Sequence, residues 1–295
     1  MVLLIGATSF LGPPILAVLL GDVRRVGCLL RAGSSRENLV KTAKDAGKEI
    51  SIVSGDLLSP DSMIDPLGSA TAAVYMVDLV NTALLENFLS AAQHTGLKRV
   101  VFISSTTVLI PLESKVKSGK LQSEDLIKKS NLDYTILRPS MIYGVADDPS
   151  FSRMLKFIKK RNFFVTFGSG KNLIQPVYID DVADAVAKVL DNRTTFKKAY
   201  DLAGLEPLKY NEMLDIIRGK INTNFKIIRF PAGLSKALIS IYARLSRNPS
   251  LTPGQIDRMG IDKAYSYQQA KDDFGFSPVS FEDGIEKLVL KLDLQ

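Results

Sequence analysis

Gly6, Ser9 and Gly12 stand three residues apart, directly behind the apolar run Val2–Ile5 and ahead of the apolar stretch Ile15–Leu20. An uninterrupted short apolar run is how a strand buried on both faces of a parallel sheet reads. Strand, glycine turn and helix in that order is the arrangement a dinucleotide needs. Gly6 permits the tight turn, the helix N-terminus turns its amides and positive dipole end to a pyrophosphate, and Gly12 lets helix and strand pack closely. Pro13 and Pro14 fall in the first helical turn, where a missing amide hydrogen costs little. Other reactive residue types promise less. Cys28 lies in an expected strand and reads as buried filler. One cysteine and one histidine, His94, are too few for a zinc site, so no metal is expected. Asp180 and Asp181 sit where a helix N-terminus uses acids, and no chemistry is assigned to them.

These residues need a scaffold, and the chain supplies one. Strands are expected at Val2–Ile5, Arg25–Leu30, Ile50–Val53, Ala72–Met76, Arg99–Ile103 and Tyr134–Leu137. Helices are expected from Ser35, a plausible N-cap, over Asn81–Thr95 with Gly96 as C-cap, and over Lys120–Lys129. This alternation predicts an α/β fold, a Rossmann-type doubly wound parallel sheet with its ligand at the carboxyl ends of the strands. Beyond the sixth strand, Arg138–Gly144 breaks the pattern with a proline turn. Helices Phe151–Lys160, Val182–Leu190 and Tyr210–Ile217 and a strand near Phe163–Phe167 follow. No low-complexity linker separates the halves. The expected division is a dinucleotide-binding domain over 1–150 and a smaller, interleaved C-terminal substrate lobe over 151–295.

At 295 residues, 46% apolar and 23% charged, the chain reads as globular with a substantial core. A net charge of +7 and a pI near 9.3 suit an anionic ligand such as a nucleotide, and also weak attraction to acidic membranes. The basic residues are scattered and no recognition module is present, so nucleic acid is not an expected partner. The single cysteine excludes an internal disulfide and suits a reducing, cytoplasmic setting. The apolar N-terminus lacks a basic leader and contains the glycine turn, and no run is a membrane span. The amphipathic segment 234–245 either covers the cleft, packs on the sheet or lies on a membrane surface. Lys156, Lys159, Lys160 and Arg161 form a solvated face or hold a diphosphate.

Several segments together resemble the extended and atypical short-chain dehydrogenase/reductases, the group that includes nucleotide-sugar epimerases and dehydratases. Gly6-Ala-Thr-Ser-Phe-Leu-Gly12 resembles their glycine loop, with Ser9 in place of the middle glycine. Gly55-Asp56-Leu57 looks like the acidic contact to the adenine. Lys98–Ser105 is similar to the fifth strand with its serine pair, and Asp133–Pro139 to the sixth. Gln175–Ala183, Ala199–Gly204 and Phe274–Gly284 complete a match in the right order over nearly the whole chain. The resemblance implies a cofactor site of Gly6, Thr8, Ser9, Phe10, Leu11, Gly12, Arg31, Ser35, Asp56, Leu57, Met76, Ser104, Lys120, Pro139 and Ile142. It implies hydride transfer at a carbon bearing oxygen on a small-molecule substrate such as a nucleotide sugar, by a monomer or homodimer.

An NAD enzyme of this architecture usually places an acid at the end of the second strand, for the ribose 2′-hydroxyl. Here Arg31 holds that place, with Ser34, Ser35 and Arg36 behind it. A guanidinium can fork onto a 2′-phosphate, so NADP(H) is favoured over NAD(H); a solvated basic loop is the alternative.

Redox members of the family carry Tyr-x-x-x-Lys before the sixth strand. Lys120 fits the lysine, but four residues earlier stands Val116, which transfers no proton. Loss of such an acid/base ordinarily costs about 10²–10⁴ in rate. Three readings follow. Tyr143 or Tyr75 substitutes for the missing phenol. Alternatively Lys120 is itself the base, as the resemblance to isoflavone-type reductases implies, with its pKa lowered by burial or a cation. Or the chain binds cofactor without turnover, like the related sensor and respiratory-complex members. The expected catalytic set is Lys120, Ser105 and Tyr143, Ser105 matching the substrate-orienting hydroxyl or else capping a strand end. The alternative function is a redox sensor or assembly subunit.

Overall fold

A computed structural model describes residues 1–22, 24–146, 148, 150–231, 233, 235–236, 239–240 and 253–294. Most of the segment 234–245, the expected amphipathic helix, therefore lies outside the described residues.

The elements run β1 (Val2–Ile5), α1 (Gly12–Gly21), β2 (Val26–Leu30), α2 (Glu37–Asp45), β3 (Ser51–Ser54), α3 (Ile64–Gly68), β4 (Ala72–Tyr75), α4 (Thr82–Thr95), β5 (Arg99–Ile103), α5 (Lys115–Lys129), β6 (Asp133–Pro139) and β7 (Ile142–Tyr143). Then come α6 (Phe151–Arg161), β8 (Phe163–Phe167), β9 (Leu173–Ile174), β10 (Val177–Tyr178), α7 (Ile179–Leu190), β11 (Lys198–Leu202), β12 (Leu208–Lys209), α8 (Tyr210–Lys220) and β13 (Lys226–Phe230). Helices Pro253–Met259, Gln268–Phe274 and Phe281–Lys291 close the chain.

The sheet is parallel, in the order β11-β6-β5-β4-β1-β2-β3. Every residue of β1, β2, β4 and β5 is buried, because helices cover both faces of such a sheet. The order reverses at β1, which lies between β2 and β4, and a ligand crevice opens outside the carboxyl ends at such a point. Asn81 accepts from the Ala83 amide and starts α4, while Gly96, at φ 71°, ends it. Ser35 does not cap α2; Arg36 takes that position without a side-chain bond. The sheet also has a seventh strand, β11, drawn from the C-terminal half.

Two compact units divide the chain, and neither is continuous. The first comprises Met1–Ile142, Ile179–Leu202 and Ser266–Pro278; the second comprises Tyr143–Tyr178, Ala203–Tyr265 and Val279–Gln295. A single cut after residue 150 is not where the contacts divide. The reason is physical: α7 and β11 complete the sheet. The Arg99 guanidinium, buried beside β5, donates to the carbonyls of Leu190 (2.8 Å), Val189 (2.6 Å) and Asp133 (2.6 Å). The core of the second unit gathers Tyr143, Phe151, Leu155, Tyr178, Leu214, Phe225, Phe281 and Ile285.

Candidate cofactor site

The glycine turn has the geometry its residues demand. Gly6 sits at φ +82°, in the left-handed region that side chains avoid, and a Cβ there would come within 3.2 Å of the Met76 backbone. A Cβ at Gly12 would overlap the Ala7 carbonyl. The Ser9 amide donates to the Gly6 carbonyl (3.0 Å) and the Gly12 amide to that of Ser9 (2.9 Å). Pro13 and Pro14 open α1 and bring no donor. The amides of Phe10 and Leu11 have no acceptor among the described residues. The Ser9 hydroxyl oxygen is likewise buried without a partner. Unpaired donors at a helix start fit an anion. Ser9, the departure from glycine, thus adds a donor where phosphates would lie.

Beside this turn a cleft of about 440 Å³ is lined by Ile5, Gly6, Thr8, Leu29, Leu30, Arg31, Ser34, Gly55, Asp56, Leu57, Leu58, Val77, Asn81 and Leu84. Five residues of the expected cofactor set thus share one cavity: Gly6, Thr8, Arg31, Asp56 and Leu57. Arg31 follows β2 directly, is exposed, and makes no ion pair among the described residues. Asp56 Oδ1 accepts from the Leu58 amide at 3.0 Å, and the Leu57 carbonyl accepts from Asn87 Nδ2 at 2.7 Å, so the acidic loop is tied down. Ser35 lines a smaller neighbouring cavity with Thr8, Ser34 and Asn38. Phe10 is exposed, Leu11 and Met76 are buried, and the Met76 amide donates to Ile5. Pro139 is buried at the end of β6, paired with Leu202, and Ile142 is half-buried in β7.

The expected catalytic residues differ in their surroundings. Helix α5 begins at Lys115, five residues earlier than its polar pattern suggests. Val116, 44% exposed, therefore stands one helical turn before Lys120. Lys120 is buried and its Nζ donates to Asp78 Oδ1 at 2.6 Å. A Cβ on Gly119 would stand 2.6 Å from the Val80 carbonyl, so α5 lies tight on the 78–80 loop. In this arrangement Lys120 is a charged donor already engaged with a carboxylate. Ser105 caps the short helical turn Thr106–Leu109 by accepting from the Thr107 amide at 3.4 Å.

Neither tyrosine meets the expectation of a proton carrier. Tyr143 is 1% exposed and stacks among Phe151, Tyr178 and Phe281, its hydroxyl donating to the Phe281 carbonyl at 3.4 Å. It is core. Tyr75 is fully buried against Phe88 and Phe102. Its hydroxyl has no partner among the described residues, and burial, reinforced by the Asp78 charge, pushes the phenol above its ordinary range.

Sequence reasoning missed the buried cluster beside Lys120. Glu124 is fully buried on the same face of α5, one turn on. It accepts from Ser104 Oγ at 2.7 Å and from both Nε and Nη2 of Arg138, whose Nη1 stands 3.5 Å from Asp201. Burial raises the Asp201 pKa, against the lowering effect of Arg138. The cluster joins α5, β5, β6 and β11. Its only trace in sequence is the Lys120/Glu124 spacing of four, which marks one helix face.

A family model for NAD(P)H-binding matches residues 6–193, more than half of the chain. The NADH dehydrogenase [ubiquinone] 1 alpha subcomplex subunit 9 of Arabidopsis thaliana is 27% identical over 151 residues, 51% of this chain and 37% of that protein. The 3beta-hydroxysteroid-dehydrogenase/decarboxylase isoform 2 of the same organism is 23% identical over 248 residues, 71% and 44% respectively. The chain thus spans less than half the length of both curated relatives. The structure of UDP-glucose 4-epimerase from Thermotoga maritima, with UDP-glucose, superposes with a TM-score of 0.75 at 16% identity, covering 99% of this chain and 98% of that one. With the glycine turn, the cleft and the seven-stranded parallel sheet, these matches make the chain a member of the NAD(P)H-binding family, in the extended short-chain dehydrogenase/reductase group of epimerase and dehydratase relatives.

Proposed function

We propose that this protein binds NADP(H) in preference to NAD(H) and holds it without a tyrosine-driven proton relay, as a redox sensor or an assembly subunit. The observation that carries the reading is Val116, solvent-exposed one turn before Lys120, while both candidate replacement phenols are sunk in cores. When bound, the dinucleotide supplies an exchangeable hydride. The chain's own residues bind and orient: the amides of Phe10 and Leu11 with Ser9 Oγ face phosphate, Arg31 faces a 2′-phosphate, Asp56 takes the adenine end, and Lys120, steadied by Asp78, donates to ribose. Similarity to the respiratory-complex subunit supports a holding role.

The test is fluorescence titration with NADPH and NADH, followed by turnover assays with nucleotide sugars and 3-hydroxysteroids. Tight NADPH binding, weak NADH binding and no turnover are expected; turnover by the unaltered protein overturns the reading. A second reading is favoured by Ser105, half-buried at the carboxyl end of β5: reversible hydride transfer on a small molecule such as a nucleotide sugar, with Lys120 and Ser105 assisting. If it holds, Val116→Tyr raises an activity already measurable in the unaltered protein.

A further inference from the structure

We infer that the second unit carries a docking surface for an anionic lipid bilayer, on the outward face of the β8–β13 pair. The two strands run parallel in register, Lys226 beside Phe163, Ile228 beside Val165 and Phe230 beside Phe167. Alternation puts these six residues on one face and Phe164, Thr166, Ile227 and Arg229 on the other. The second set turns toward the protein: Thr166 is buried, Phe164 and Ile227 pack on the aromatic core of the unit, and Arg229, at the edge and exposed, donates to Asn211 Oδ1 at 3.4 Å. The outward face should then be polar. It is apolar instead: Ile228 is 42% and Phe230 39% exposed, and Phe163, Val165 and Phe167 are half-buried. Phe157 of α6, 39% exposed, extends the patch by edge-stacking on Phe163 at 5.5 Å. Contiguous exposed apolar surface of this kind marks an interaction site.

Charge selects the partner. Residues 150–179, which include β8, hold six Lys and Arg and no Asp or Glu; residues 216–256, which include β13, hold seven and none. Together these carry +13 in a chain of net +7, so the rest sums to −6. The charge meets the apolar face at one end. The Lys226 amide donates to the Asn162 carbonyl at 3.1 Å, which brings Lys226 beside the basic end of α6. Lys160, Arg161 and Lys226 are exposed and make no ion pair among the described residues. The nearby acid Asp215 is engaged by Arg218 at 2.7 Å. Aromatic and aliphatic side chains rimmed by unpaired cations match the interface of an acidic membrane, where rings enter the headgroup layer and each cation gains from the surface potential. A nucleic-acid duplex would satisfy the cations and leave the phenylalanines idle.

The full-length protein is sedimented with phosphatidylcholine vesicles with and without phosphatidylglycerol, at low and high salt. Binding to the anionic vesicles alone, weakened by salt, is expected. The chain has no tryptophan, so Phe230→Trp gives a single reporter whose emission should shift to the blue on those vesicles. Lys226→Glu should lower vesicle affinity by about fivefold or more, and Ile228→Glu should abolish the interaction. NADPH titration should be unchanged in every variant, which shows that each is folded. Equal binding to neutral vesicles, no binding at low salt, no Trp shift, or competition by duplex DNA that Ile228→Glu leaves intact each overturns the inference. So does a dimer in solution that Ile228→Glu dissociates.

Discussion

Arg31 and Cys28 show how far single side chains can be read. Arg31 is exposed at the rim of the cofactor cleft beside Ser34 and Asp56, so its effect belongs to the ligand and not to the fold. Arg31→Glu should weaken NADPH by about 1.5–3 kcal/mol, the worth of a hydrogen bond to a charged group. NADH should change little; equal losses for both would remove the 2′-phosphate assignment. Cys28 is fully buried in β2, and burial pushes its thiol from 9.0 up to about 12. It should resist a thiol reagent until the chain unfolds. Because the folded value is the higher one, the neutral thiol contributes stability below pH 9.0 that is lost as pH rises toward 12. Cys28→Ala should therefore flatten the alkaline limb of a stability–pH curve, and an unchanged limb would count against this assignment. Position relative to β2 drew attention to both residues. Position alone does not tell whether Tyr143 and Tyr75 lie in the core, because a tyrosine near a strand end reads alike whether it faces ligand or core.

At the scale of elements, α5 decides the site. Lys120 and Glu124 share its inward face, and Glu124 is bolted to Arg138 of β6 and to Ser104, the residue after β5. Removing one partner of a buried pair leaves the other charge uncompensated. Glu124→Ala should cost about 3–5 kcal/mol by denaturant unfolding, while Glu124→Gln, which keeps volume, should lie between. If Glu124→Ala leaves stability unchanged, the cluster is not what anchors α5. The polar composition of this helix hid its true start at Lys115, since helix ends are set by capping: here Ser114 accepts from the Lys117 amide at 3.1 Å. The strands were legible to within a residue or two because continuous apolar runs have few other uses.

At the scale of the molecule, the chain alternates between its two units, contributing three segments to each. A fragment of residues 1–150 keeps the glycine turn and the cleft but loses α7 and β11. It strands the Arg99 guanidinium, whose pKa burial already lowers to about 10 and which takes two of its acceptors from α7. That fragment should not fold on its own. Far-ultraviolet circular dichroism and NADPH binding by the isolated fragment check this, and a cooperative, cofactor-binding fragment would show that β11 is dispensable.

Local patterns in the chain carry the parallel α/β fold, the glycine turn with Ser9 in its middle, the basic residue after β2 and the valine at position 116. Each is a local fact: a run, a spacing, a residue type in a fixed place relative to its own strand or helix. Packing, by contrast, makes Tyr75 and Tyr143 core, sets Asp78 against Lys120, buries the Glu124 carboxylate and adds β11 to the sheet. Those outcomes depend on contacts between residues distant in the chain: 14 apart for Glu124 and Arg138, 42 for Lys120 and Asp78, and 138 for Tyr143 and Phe281. Burial and pairing at such separations are properties of packing, and packing is not written in any one stretch of chain.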